Sequence, residues 1–312
     1  MPTLQITTKI GCTNACTYCP QERLIKAYES RSKNLLLDLD NFKSYIEKLP
    51  SEVNIWFAGM CEPWLNPECS QMILYAHKKG HKICVFTSLT GMRLSDIDLI
   101  ESVPFGFFRI HLPNDLEHEK LRVNDYYLAV LDKISKSNIN TSFHCHGKNP
   151  DLKVKLILNY NNKPIEFRSL YQRAGNIKIK NRFNLPKKRG IIGCIRELKC
   201  NVLLPNGDVI LCSNDYAMKH VLGNIVFSRY DCLFNGNEFA KVRQGLQDES
   251  IDILCRDCDN FSYNIDLAAK IYNFPYQIDK YMYYLRDFRN SYDLNIILRK
   301  GFNAVKKQFI LN

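Results

Sequence analysis

Hydrophobic positions along the first half of the chain fall into two alternating textures. Short runs rich in β-branched and aromatic residues read as strands: Leu4 to Thr8, Val53 to Phe57, Lys82 to Thr87, Phe105 to His111, Asn140 to His146 and Ile165 to Arg168. Between them, apolar residues at helical spacing run from Asp38 to Leu49, Pro67 to Lys79, Ser95 to Ser102 and Asp115 to Ser137. Strand and helix in turn predict parallel βα units of the α/β class. Six units before about residue 175 suit a partial (β/α)6 barrel better than a closed eight-stranded one.

The texture changes after Arg173-Ala174-Gly175-Asn176. Pro205-Asn206-Gly207-Asp208, flanked by Val202-Leu203-Leu204 and Val209-Ile210-Leu211, signals a β-hairpin inside a small cysteine-rich module. From about Phe261 the chain is rich in Tyr and in Lys and Arg at helical spacing, and reads as a helical tail. The expected division is a barrel over 1–176, a small module over 177–260 and a basic, aromatic tail over 261–312. The tail would pack on its own domain or make peripheral contact with a membrane surface.

Alternation within the strands sorts their faces. On the fifth, Thr141, Phe143 and Cys145 share one face and Ser142, His144 and His146 the other. On the fourth, Phe108, Ile110 and Leu112 oppose Arg109 and His111; on the sixth, Ile165 and Phe167 oppose Glu166 and Arg168. In a βα barrel the apolar face meets the helices, so Arg109, His111, His144, His146 and Arg168 are the candidate catalytic residues, directed into the cavity. Such a lining suits a small polar, hydroxylated or anionic substrate.

The chain has 312 residues, 46% hydrophobic and 24% charged, which are ordinary globular values without repeats or low-complexity tracts. No run nears the roughly 20 apolar residues of a membrane span, and the N-terminus lacks the charged and apolar regions of an export signal. A cytoplasmic location is the expectation. There, 13 cysteines point to metal or redox chemistry rather than disulfides. The formal charge of +11 is compatible with anionic ligands, but no stacking-plus-basic motif of an RNA or DNA module accompanies it.

Cys12, Cys16 and Cys19, with Tyr18 before the last, form a C-x3-C-x2-C loop after the first strand, where barrel active sites gather. Three thiolates can bind three irons of a [4Fe–4S] cluster and leave the fourth open. A Cys3His zinc site is the competing reading. The loop resembles that of the radical S-adenosylmethionine (radical SAM) superfamily, and Gly59-Met60-Cys61-Glu62-Pro63 is similar to the segment by which that family contacts the methionine amino group. Cys61 stands where the family usually has a small residue. The resemblance implies cofactor contacts from Tyr18, Gly59, Glu62, Pro63, Thr87 and Ser88. It also implies S-adenosylmethionine bound at the open iron, its one-electron cleavage to a 5′-deoxyadenosyl radical, and a flavodoxin- or ferredoxin-type electron donor.

The later module reads Cys194-x12-Gly207-x4-Cys212, then Cys255-Arg256-Asp257-Cys258, and is similar to the auxiliary-cluster region called SPASM or, in its short form, twitch. Cys194, Cys212, Cys255 and Cys258 would hold a second [4Fe–4S] cluster, with Cys200 an alternative to Cys194. No cysteine follows Cys258, which favours the single-cluster twitch form. Cys69, Cys84 and Cys232 read as buried small hydrophobes. A saturated auxiliary cluster resembles the arrangement in aminocyclitol dehydrogenases of butirosin type. That likeness implies oxidation of a secondary alcohol on a sugar or cyclitol, nucleotide- or lipid-linked sugars included, with the auxiliary cluster accepting the electron. Ribosomal-peptide maturation, carbon epimerisation and a non-catalytic iron–sulfur binding protein are the other readings.

Overall fold

The computed structural model describes residues 1–114, 121–146, 149–168, 170, 172–177, 187–258 and 260–263. The helical tail expected from about 261 lies outside the described residues, save for a short strand at its start. Residues Met1–Ser262 form one compact unit.

Six parallel strands make the frame: β1 (Thr3–Ile6), β2 (Asn54–Phe57), β3 (Ile83–Thr87), β4 (Phe107–Leu112), β5 (Thr141–His146) and β6 (Ile165–Arg168). Each lies on a segment that alternation marks as a strand, with ends moved by a residue or two. Among the described residues, seven α-helices accompany the strands: α1 (Gln21–Glu29), α2 (Leu39–Ile46), α3 (Cys69–Lys78), α4 (Leu94–Ile100), α5 (Asp125–Lys136), α6 (Leu152–Tyr160) and α7 (Asn237–Gln247). Of the helix expected over Asp115 to Ser137, residues 115–120 lie outside the described residues and 121–124 are not helical; α5 starts at Asp125, where Asn124 is in extended conformation and its side chain accepts from the Tyr127 N–H as the cap. α1, α6 and α7 are not among the expected helices; α1 buries Gln21, Leu24 and Tyr28, and α6 only Val154 and Leu158.

The sheet does not end at β1. Three further strands, β8 (Cys200–Leu203), β9 (Asp208–Ile210) and β10 (Val221–Asn224), extend it, giving the order β10-β9-β8-β1-β2-β3-β4-β5-β6 among the described residues. β8 runs parallel to β1, with Thr3 opposite Cys200 and Ile6 opposite Leu203, and β9 turns back antiparallel. The hairpin turn requires Gly207, whose φ is +86° and where a Cβ would lie 2.7 Å from Val226. β7 (Ile192–Cys194) and β11 (Phe261–Tyr263) form a separate two-stranded sheet.

Phe108, Ile110, Leu112, Phe143 and Cys145 are fully buried on the helix-covered face, as the alternation predicts. A second core joins the early loop to the late hairpin, packing Ile10, Leu24, Tyr28 and Met60 against Val202, Leu204, Ile210, Tyr216 and Met218. Cys69 and Cys84 are buried, but Cys232 is exposed on a short 3-10 stretch (Tyr230–Asn235), contrary to the expectation that it fills the core. Tyr230 and Leu233 are that stretch's buried residues.

Candidate active site

Cys12, Cys16 and Cys19 sit in the loop between β1 and α1. Gly11 (φ +85°) and Ala15 (φ +41°) take left-handed conformations, and the Cys19 N–H donates to the Cys16 carbonyl at 3.0 Å. The loop therefore folds back on itself, and Cys12 lies near enough to Cys19 to feel its charge. Cys12 has its pKa raised, first by burial and then by the charges of Glu62 and Cys19. Cys19 receives two side-chain contacts, from Gln21 Nε2 at 3.1 Å and from the Tyr216 hydroxyl at 3.3 Å.

The Gly59–Pro63 segment closes over this loop. A Cβ on Gly59 would lie 2.4 Å from the Ile6 carbonyl oxygen and 2.6 Å from Thr7 Cα, so only glycine lets the segment lie against β1. Met60 N–H donates to Thr7 Oγ1, and Thr8 Oγ1 donates to the Pro63 carbonyl. Cys61, packed beside Thr8 with little solvent contact, has its thiol pKa pushed up to about 12 by burial.

Glu62 is buried. Its carboxylate accepts from Thr87 Oγ1 at 2.6 Å, from Ser88 N–H at 2.6 Å, from Ser88 Oγ at 2.7 Å and from Trp64 N–H at 3.4 Å. Burial still raises its pKa, because these donors only partly replace lost water. Thr87 and Ser88, expected as cosubstrate contacts, thus direct donors at Glu62. The network continues to the cysteine loop: Asn14 Nδ2 donates to Ser88 Oγ at 2.7 Å, and Thr90 Oγ1 donates to Asn14 Oδ1 at 2.9 Å. Asn14 and Thr90 carry no spacing signal and escape a reading of the sequence.

The helix-free face of the sheet holds the other candidates. Parallel register sets His111 opposite His144 and His144 opposite Glu166, with His146 opposite Arg168. The His111 ring lies 6.2 Å from His144 and 5.1 Å from His146, and Tyr18 packs edge-on to His146 at 4.9 Å. Tyr18 therefore joins the cysteine loop to the histidine row. His144 Nδ1 accepts from Arg168 Nε at 3.3 Å, which leaves Nε2 to donate to Ser142 Oγ at 3.0 Å; Arg168 also pairs with Glu166.

Two of the three cavity histidines, His111 and His144, are held neutral. Burial and the cationic neighbours push His111 down to about 3, while burial lowers His144, with Glu166 opposing. Below them Arg109 stacks over Phe107 at 4.5 Å and Phe86 at 5.3 Å, and Trp56 continues the aromatic wall. Trp56, Phe86 and Phe107 are half-buried on this face, and no motif in the sequence marks them as its lining.

A second cavity, with an empty volume of about 510 Å³ including its open mouth, is lined by Cys194, Cys200, Cys212, Cys255 and Cys258. Burial and then the charges of Cys194 and Cys258 push Cys255 up to about 12. Cys212 is raised by burial, then by Asp215, Cys255 and Cys258. Cys200 instead accepts from Gln5 Nε2 at 3.0 Å, turned toward β1. Arg256, between the last two cysteines, is buried and donates to the carbonyls of Lys188, Gly190 and Gly245.

With Cys200 engaged by Gln5, the other four cavity thiols and the three in the loop are donor sets that suit [4Fe–4S] clusters, one saturated and one with an open iron. A single zinc ion needs tighter convergence. Among the described residues, no three His, Cys, Asp or Glu side chains converge in that way.

A model of the radical SAM superfamily matches residues 6–151, and a model of an iron–sulfur cluster-binding domain, SPASM, matches residues 194–259. These domains imply a SAM-binding [4Fe–4S] cluster and auxiliary-cluster binding. No curated protein matches the sequence. The crystal structure of BtrN in complex with AdoMet and 2-DOIA is similar over 83% of this chain and 93% of that one, at 16% identity and a TM-score of 0.55. Streptococcus suis SuiB bound to precursor peptide SuiA is similar over 77% of this chain and 66% of that one, at 11% identity and a TM-score of 0.55. Native anSMEcpe with bound AdoMet is similar over 82% and 86%, at 14% identity and a TM-score of 0.53. At such identities the likeness is one of fold.

Proposed function

Given that residues 6–151 form a radical SAM domain and residues 194–259 a SPASM iron–sulfur cluster-binding domain, we propose that this radical SAM enzyme oxidises a secondary alcohol of a polar substrate. A sugar or cyclitol, free or as a nucleotide- or lipid-linked sugar, is the proposed class. Cys12, Cys16 and Cys19 would hold the cluster, which, with S-adenosylmethionine and one electron from a low-potential reductant, would supply the radical chemistry that takes hydrogen from a C–H bond. The auxiliary site, held by Cys194, Cys212, Cys255 and Cys258, is the proposed electron acceptor. The thiol-lined cavity is the observation that carries this reading, since a cluster with four thiolates has no open iron for substrate and is left with electron transfer.

The chain's own residues have separable tasks in this proposal. Glu62 fixes the Gly59–Pro63 segment against β3 and, through Ser88 and Asn14, the cysteine loop. Tyr18 packs on His146 and excludes water between loop and cavity. Among the described residues no group bonds the ring nitrogens of His111, so the neutral imidazole is free to accept a hydrogen bond from the substrate hydroxyl. Arg168 holds His144 through Nδ1, and Arg109 offers its guanidinium edge to an anionic group on the substrate. Cys145 is buried on the helix side, which counts against an epimerase returning hydrogen from that thiol.

The test is anaerobic turnover of reconstituted enzyme with S-adenosylmethionine, a low-potential reductant and a panel of sugars and nucleotide-linked sugars. A ketone should appear in step with methionine and 5′-deoxyadenosine. Cleavage of S-adenosylmethionine with no alcohol oxidised across the panel rejects the dehydrogenase. Solvent deuterium entering at carbon would establish epimerisation instead.

A further inference from the structure

The two cysteine sites are joined by a short stretch of chain that no sequence motif marks. Cys212 lines the auxiliary cavity, and four residues later Tyr216 reaches the other site, its hydroxyl 3.3 Å from Cys19 Sγ. The stretch between them is firmly held. Asp215 N–H donates to the Cys212 carbonyl and Met218 N–H to the Asp215 carbonyl, both at 3.0 Å. The Asp215 carboxylate accepts the N–H groups of Lys219 and His220, and Asn214 Nδ2 lies 3.6 Å from Cys258 Sγ. Asn176 donates to the Asn214 carbonyl at 2.8 Å and accepts from Arg23 of α1 at 2.9 Å.

Tyr216 itself is 2% exposed, in the core that binds Ile10, Leu24 and Met60 to the hairpin. A phenol so enclosed needs a partner for its hydroxyl. Once Cys19 is an iron-bound thiolate it has no proton to give, so the hydrogen bond can run in one direction only, from Tyr216 to sulfur. Gln21 Nε2 donates to the same sulfur at 3.1 Å. Cys19 therefore receives side-chain donors from both the helix that follows its loop and the auxiliary module.

We infer that Tyr216 is a positioning residue that sets the reduction potential of the cluster on Cys12, Cys16 and Cys19 from within the auxiliary module. The inference rests on the reading of those three cysteines as cluster ligands. A hydrogen bond to a ligating sulfur draws negative charge from the cluster and favours the more negative, reduced state, so it raises the potential. The position of Tyr216 follows from the fold of the Cys212–Met218 turn, so the order of the auxiliary site governs how readily the first cluster takes its electron.

The experiment is an anaerobic redox titration of the holoenzyme, read by electron paramagnetic resonance, comparing wild type with Tyr216→Phe. The first cluster is identified as the part of the reduced signal that S-adenosylmethionine shifts. The phenylalanine ring keeps the packing and removes only the hydroxyl. The variant's midpoint should fall by about tenfold in the reduction equilibrium constant, the size of one hydrogen bond to a charged acceptor, which is ~59 mV for a one-electron couple. The auxiliary signal in the same sample should keep its midpoint. Gln21→Leu, which removes the second donor, should move the first cluster in the same direction. An unchanged or raised midpoint in Tyr216→Phe, with the SAM-responsive signal present, overturns the inference while leaving the enzyme class intact. A wild-type protein that forms no SAM-responsive cluster takes down both.

Discussion

Glu62 shows how one carboxylate can organise a site at the scale of a residue. Four donors surround its two oxygens, and an amide in its place would turn an NH2 group against at least one of them. Glu62→Gln should therefore cost roughly 1–3 kcal/mol in chemical unfolding and weaken S-adenosylmethionine binding in equilibrium dialysis. His111 carries a pH dependence with a definite sign. Its pKa is near 3 folded against an ordinary value near 6.5, so the unfolded chain binds the extra proton first and stability falls as pH drops below about 6.5. Between pH 7.5 and 6.0 this group should remove about 0.8 kcal/mol, a loss that His111→Gln should abolish in urea melts at the two pH values. The cysteines and Glu62 were legible because spacing and a short motif mark them. Asn14 and Tyr216 were not, since their partners lie 74 and 197 residues away and leave no local trace.

Elements differ in legibility because burial differs. β4 and β5 alternate cleanly, as one face meets helices and the other lines the cavity, so strand and facing could both be read from period two. α6 hides itself because Leu152, Leu156 and Tyr160 are exposed, so its apolar residues do not mark the buried stripe. The 115–137 segment shows the opposite error: an apolar pattern overran the Asn124 cap. Close approach of elements makes Gly59 a sharp test. A methyl group there meets the backbone of β1 rather than a side chain that could swing aside, so Gly59→Ala should cost roughly 3 kcal/mol and disorder the cysteine loop. Thermal melts and iron content per chain would report both. Arg256 is the counterpart in the auxiliary module. Its donors satisfy three carbonyls around the short turn carrying Cys255, and Arg256→Met should lower the auxiliary-site iron content while leaving SAM-responsive iron in place.

Within Met1–Ser262, the sheet runs unbroken from the six parallel strands into the hairpin. β8 lies beside β1 through four registered residues, Thr7 N–H donates to the Leu203 carbonyl, and the Arg31 side chain reaches Asp208 at 2.7 Å across the hairpin. Burial alone would raise the Asp208 carboxyl, but Arg31, Asn206 and Asn224 bring it below its ordinary value, so the turn is tied electrostatically as well as by the sheet. The change of texture after residue 176 suggests a boundary, but strand pairing crosses it. Removing the chain after residue 190 would bare one edge of β1 and uncover Ile10, Leu24, Tyr28 and Met60, the half of the shared core that belongs to the cysteine loop. Residues 1–190 alone should therefore run as aggregate in size-exclusion chromatography and bind ANS. A monomeric fragment with a cooperative melt would show that the barrel is stable without β8. The same pairing predicts that Asp208→Ala, in the hairpin turn, lowers the melting temperature of the whole unit in one transition rather than releasing the hairpin on its own.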